Sequence, residues 1–163
     1  MEWPVSLAFR LPGMTFREDL AGHYWWLSNP VAERPMELRL TACAPDVGAA
    51  LHSRIWRLSG TVHAEGLASH NEIEGTLAFR LLDERRLPYR CRFRGDDGRH
   101  YDLCGQKEWN ALAPLDTVTL LPASLYDETG CEVARATLRF DLRADWSQWL
   151  RDIKLVLPSA ARL

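Results

Sequence analysis

The chain has 163 residues, of which 47% are hydrophobic and 26% charged, with seven Trp and a formal net charge of -2. These values describe one folded domain of ordinary composition and exclude intrinsic disorder. The near-neutral charge gives no electrostatic reason to expect nucleic acid, and no apolar run approaches the roughly 20 residues a helix needs to cross a bilayer.

The opening stretch MEWPVSLAFRLPG has an acidic second residue and no basic segment, so no secretion signal is expected and the expected location is cytoplasmic. Within it Val5, Leu7, Phe9 and Leu11 alternate as in a short strand, which Pro12-Gly13 ends. Residues 14–27 form an aromatic-rich strand, with Gly22 marking a bend and Asn29-Pro30 its end. Met36, Leu38, Leu40 and Ala42 alternate with Glu37, Arg39, Thr41 and Cys43, the period-two pattern of a strand with one buried face. Residues 46–51 read as a helical turn capped by Asp46. Two further strands follow, over residues 55–64 and from Ile73 through Gly75, Leu77, Phe79 and Leu81, joined by a polar loop reaching Asn71.

The most informative segment is residues 87–109, where Tyr89, Cys91 and Phe93 alternate with Arg90, Arg92 and Arg94 before an Asp96-Asp97-Gly98 turn. A two-residue Asp97-Gly98 turn would set Arg92 opposite Leu103 and Arg94 opposite Tyr101, mixing charge with apolar side chains. A three-residue loop with Gly98 left-handed instead pairs Phe93 with Tyr101, Cys91 with Leu103 and Tyr89 with Gly105, and Arg92 with Asp102 and Arg94 with His100 outside. That register keeps both faces uniform, and it carries Lys107 onto the inner face.

Residues 118–126 and 131–142 form a last hairpin around residues 127–130. Pairing Tyr126 with Cys131 puts Leu121, Ala123 and Leu125 on one face with Ala134, Ala136, Leu138 and Phe140. A helix is expected over about residues 145–155, where Trp146, Trp149, Leu150, Ile153 and Leu157 recur on one stripe after Asp145. The expected fold is therefore mainly β: an antiparallel up-and-down, lipocalin-like barrel or curled sheet of about 8–10 strands, with one C-terminal amphipathic helix, in a single domain.

Chemical motifs are sparse. No GxGxxG, P-loop, HExxH or GxSxG pattern occurs, and Cys43, Cys91, Cys104 and Cys131 lack CxxC spacing, so no cofactor or metal is expected and the thiols are expected to be reduced. What remains is the inner set Trp56, Tyr89, Phe93, Tyr101, Leu103 and Lys107. Read structurally, these side chains fill the core, with Lys107 reaching a carboxylate such as Glu108 or Asp19 or snorkelling to the rim. Read functionally, they line a cavity in which one cation orients a ligand.

Several segments resemble the accessory β domain that stands beside the flavin domain in bacterial cholesterol-oxidase-like glucose-methanol-choline oxidoreductases. They are residues 16–22 (FREDLAG), 57–60 (RLSG), 89–93 (YRCRF), 97–107 (DGRHYDLCGQK), 116–120 (DTVTL) and the segment from Trp146. The similarity spans roughly residues 14–155, and it departs where the family commonly has Met and this chain has Leu20. In that family oxidation belongs to the flavin domain, for which no dinucleotide fingerprint occurs here. The resemblance thus implies a non-catalytic binding or accessory module, and it supplies no catalytic residues.

Two partners stay open: a small apolar, lipid-like or sterol-like molecule at the inner set, or a protein, such as an oxidoreductase regulated by this chain, on the face carrying Arg90, Arg92 and Arg94. An enzyme pairing Lys107 with His23 or a carboxylate as acid and base is the remaining alternative.

Overall fold

In a computed structural model, residues 13–80, 84–108, 119–140 and 154–156 are described. They form β1 (Gly13–Trp26), β2 (Asn29–Ala44), α1 (Val47–Ser53), β3 (Ile55–Ala64), β4 (Ala68–Ala78), β5 (Arg86–Arg94), β6 (His100–Glu108), β7 (Leu120–Tyr126), β8 (Glu132–Phe140) and β9 (Lys154–Val156). Each of β1 to β7 pairs antiparallel with the next strand, and β8 pairs back with β1, which closes an eight-stranded up-and-down barrel. Closure leaves no open edge along the joined strands.

The β5–β6 hairpin adopts the three-residue turn. Gly98 has φ 82, its N–H donates to the Gly95 carbonyl at 3.0 Å, and Gly95 N–H donates to Arg99 at 2.8 Å. Phe93 faces Tyr101, Cys91 faces Leu103 and Tyr89 faces Gly105, while outside Arg92 grips Asp102 through two contacts of 2.7 and 2.9 Å. The β7–β8 turn repeats the device with Gly130 at φ 81, and Asp127 Oδ1 accepts from Thr129 and Cys131 N–H groups. Asp46 caps α1 by accepting from Ala49 N–H at 3.1 Å.

Four expectations need correction. The last hairpin keeps the expected inner face but sits two residues further along, with Leu125 opposite Ala134 and Ala123 opposite Ala136, because the β7–β8 turn closes at Asp127 and Cys131 and a bulge follows. Alternation fixes a face, and a two-residue slip preserves it. Asn29-Pro30 begins β2 instead of ending β1, since the turn is Leu27-Ser28 and Pro30 falls in the irregular stretch between the Trp26–Asn29 and Tyr24–Arg34 pairs, where no ladder N–H is required. The polar residues Ser69 and Asn71 belong to β4, because Asp96 of the β5–β6 turn accepts from the Ser69 backbone and hydroxyl and from the Asn71 amide. Most of the expected C-terminal helix lies outside the described residues, and its last part, Lys154 and Leu155, is strand, paired with Thr15 and Met14 of β1. An isolated amphipathic stripe cannot exclude strand at its end when an edge of β1 is there to pair with.

The barrel is asymmetric end to end. The connections at one end are the four short turns around Leu27-Ser28, Gly66, Gly98 and Gly130; at the other end lie α1 and the strand ends Ala78 and Arg86, Glu108 and Leu120, and Phe140, between which the longer connections run. Inside, Leu38, Val62, Leu103, Leu121, Leu125 and Leu138 have no accessible surface, so the middle layers are filled by side chains, as the bore of an eight-stranded barrel permits. Among the described residues no helix is long and apolar enough to cross a membrane.

Candidate functional site

The inner face of β1 consists of its even-numbered residues, because Leu20 opposes Leu38 and Glu18 opposes Leu40. Alternation therefore turns Glu18 inward and leaves Asp19 exposed. On β6 the odd residues Tyr101, Leu103, Gly105 and Lys107 face in. Lys107, 2% exposed, meets Glu18, 8% exposed, across the barrel, and Nζ contacts Oε1. The second carboxylate oxygen, Oε2, accepts from the Tyr89 hydroxyl at 2.8 Å. The amine also lies 5.3 Å from the Tyr89 ring centroid and 5.7 Å from that of Phe140, so both rings present π faces to a cation.

Lys107 thus finds a carboxylate, but Glu18 in place of Glu108 or Asp19. Sequence reasoning missed Glu18, although its signal was present: Phe16, Glu18 and Leu20 share one strand phase, so one charge sits in an apolar row. His23 lies on the outer, exposed phase of β1, away from this cluster.

The structure divides the expected set. Trp56, Tyr89 and Lys107 lie toward the end with the long connections, where Trp56 packs on Phe16 at 5.5 Å between centroids. Leu103 is in the filled middle. Phe93 and Tyr101 stack at 5.7 Å near the short turns, where Trp26 meets Tyr101 edge-on at 6.4 Å. Both ends keep some accessibility: at the first, Leu87, opposite Lys107, and Phe140 each keep 8% and Phe16 is half-buried, and near the short turns Trp26 is half-buried too.

Burial governs the protonation of this cluster. Desolvation disfavours the ammonium and brings Lys107 down from 10.5 to about 7. Desolvation, and then the neighbouring Cys91, push Tyr89 far above the ordinary phenol range. Cys91 is itself raised from 9.0 to about 12 by burial first and by Cys104 second. Between pH 7 and 10.5 the unfolded chain binds the Lys107 proton and the folded chain does not, so stability rises with pH there, by up to about 1.4 kcal/mol per pH unit. Above about pH 9 the unfolded chain loses the Cys91 and Tyr89 protons that the folded chain retains, and stability falls. Melting temperature measured against pH should therefore peak on the alkaline side, a little above about pH 9. The double variant Lys107→Met/Glu18→Gln should lose the rising limb and keep the falling one.

Among the described residues no group of three His, Cys, Asp or Glu is placed to hold a metal ion. Two depressions of the outer surface lie across β5 to β8 at Arg90, Gln106 and Arg135 and over Arg57, Thr76 and Arg92. The fold and the inner cluster define a class: a closed, eight-stranded, up-and-down β-barrel with, among the described residues, one buried ionic cluster toward its long-connection end. Compared with known proteins, the chain matches no family model, no curated protein and no solved structure.

Proposed function

We propose that the chain is a non-catalytic binding module that takes an apolar, lipid-like or sterol-like molecule at the long-connection end of the barrel, with Lys107 and Glu18 as its polar anchor. The observation that carries this reading is the ionic cluster itself, set in an otherwise apolar interior near Leu87, Phe140 and Trp56, which keep some solvent contact. A buried ion pair is a poor stabiliser compared with apolar side chains of similar volume, so its presence calls for a role beyond stability. The resemblance to an accessory oxidoreductase domain, carried by residues 16–22 and 97–107, points the same way.

The cluster also selects the head group. A hydroxyl both donates and accepts, so it can donate to Glu18 while accepting from the Lys107 amine. A carboxylate would meet the charge of Glu18 and be disfavoured. Phe16, Trp56, Leu87 and Phe140 supply apolar contact for the body of the molecule. The filled middle layers limit such a ligand to a shallow seat or require inner side chains to move.

Tryptophan fluorescence titration and native mass spectrometry with cholesterol, a fatty alcohol and a fatty acid provide the test. Sterol or alcohol should bind with micromolar dissociation, on the order of 8 kcal/mol, and more tightly than the acid. Lys107→Met should weaken the alcohol about tenfold or more. Absence of binding by all three would overturn the reading and favour a protein partner, which loss of pull-down on replacing Arg90, Arg92 and Arg94 together would locate on the outer face.

A further inference from the structure

Of the 20 Lys and Arg residues in the chain, 18 are Arg, and the only lysines are Lys107 and Lys154. Lys107, in the barrel interior, therefore stands in a chain that otherwise uses guanidinium for almost all of its positive charge. An arginine could hold Glu18 with two parallel bonds; what lysine offers instead is a compact primary amine that can act as a nucleophile. From the contact of the Lys107 amine with Glu18, the Tyr89 hydroxyl bound to the other carboxylate oxygen, and the aromatic faces around the amine, we propose that Lys107 captures an apolar aldehyde reversibly as an imine. This rests on the binding reading above and names the carbonyl compounds of the same ligand class.

The cluster contains the groups that each step needs. Proton transfer from the Lys107 ammonium to the Glu18 carboxylate frees the amine lone pair, which adds to the carbonyl carbon while Glu18 returns the proton to the carbonyl oxygen. The carbinolamine nitrogen then gives a proton to Glu18, which passes it to the hydroxyl. Water leaves as the C–O bond breaks and the C=N bond forms. In balance, ammonium and aldehyde yield a protonated imine and one water, and Glu18 ends as the carboxylate beside the new cation. Tyr89, donating to Oε2 at 2.8 Å, positions the carboxylate without taking part in the transfers. Burial assists the first step: an amine titrating at about 7 is about half unprotonated at neutral pH, against on the order of one part in a thousand for an ordinary lysine.

The test uses the full chain with all-trans-retinal, whose protonated imine absorbs to the red of the free aldehyde, followed by borohydride reduction and peptide mass mapping. The expected result is one adduct per chain on Lys107, at least about tenfold in excess over Lys154 and the amino terminus. Lys107→Arg should abolish it while keeping the positive charge. Glu18→Gln should slow its formation and remove the red shift. Retinol, which cannot form an imine, separates the two claims. Retinol binding without an adduct on Lys107 overturns the covalent step and leaves the binding reading intact. Failure of both molecules overturns both, and labelling spread evenly over the amines overturns the proposal as non-specific.

Discussion

Glu18→Ala is expected to destabilise the barrel by about 3–5 kcal/mol, read as a fall in the urea midpoint. The loss exceeds that of an ordinary surface charge because two partners are stranded and a cavity is left. Lys107 would lose the carboxylate beside its buried amine and be driven to the neutral form, and the Tyr89 hydroxyl would lose its acceptor. A cavity would also open opposite Leu40. Lys107→Met should cost a similar amount by leaving the carboxylate uncompensated. The two changes should not add: Lys107→Met combined with Glu18→Gln removes both charges and retains an acceptor for Tyr89, so most of the loss should return. A double variant as unstable as the sum of the singles would show that the pair acts through packing alone.

Gly60→Ala and Gly75→Ala should each cost more than about 4 kcal/mol or prevent the barrel from closing. Both glycines sit on the inner face, Gly60 between Leu40 and Ile73 and Gly75 between Leu58 and Cys91. A methyl group at Gly60 would lie 1.8 Å from the Arg39 carbonyl oxygen, and one at Gly75 would lie 2.0 Å from that of Arg90. These obstacles are backbone, which no rotamer change relieves. An eight-stranded barrel has a tight circumference, so strands must coil sharply, and a bare glycine lets neighbouring backbones approach on the inside of the bend. Gly130→Ala is the contrasting control. Its added methyl meets nothing within 4 Å and φ is 81, so only the left-handed backbone penalty of about 1–2 kcal/mol applies. Equal losses at Gly60 and Gly130, measured by chemical denaturation, would refute the close-approach account.

Read locally, the chain revealed much of this barrel. The phase of β5 and β6 followed from alternation, and the register from requiring Arg92 and Arg94 to oppose Asp102 and His100 across a turn ending in Gly98. The Asp46 cap was equally local. Errors arose where one local pattern serves two arrangements. Polar Ser69 and Asn71 looked like a loop because their partner, Asp96, is 27 and 25 residues away. The β7–β8 register slipped by two because face uniformity alone cannot count residues in a turn.

The candidate site divides along the same line. The sequence by itself determined that Lys107 faces inward beside Tyr89, since both positions follow from a period of two and one turn. It could not choose the carboxylate, because Glu18 and Lys107 are separated by 89 positions and meet only once β1 has paired with both β2 and β8. Barrel closure also decided that Trp56 joins Lys107 at the long-connection end while Phe93 and Tyr101 pack near the short turns. Strand phase is carried by neighbouring residues, whereas side chains that meet across the bore are set by the number and tilt of all the strands together, which no local window of sequence contains.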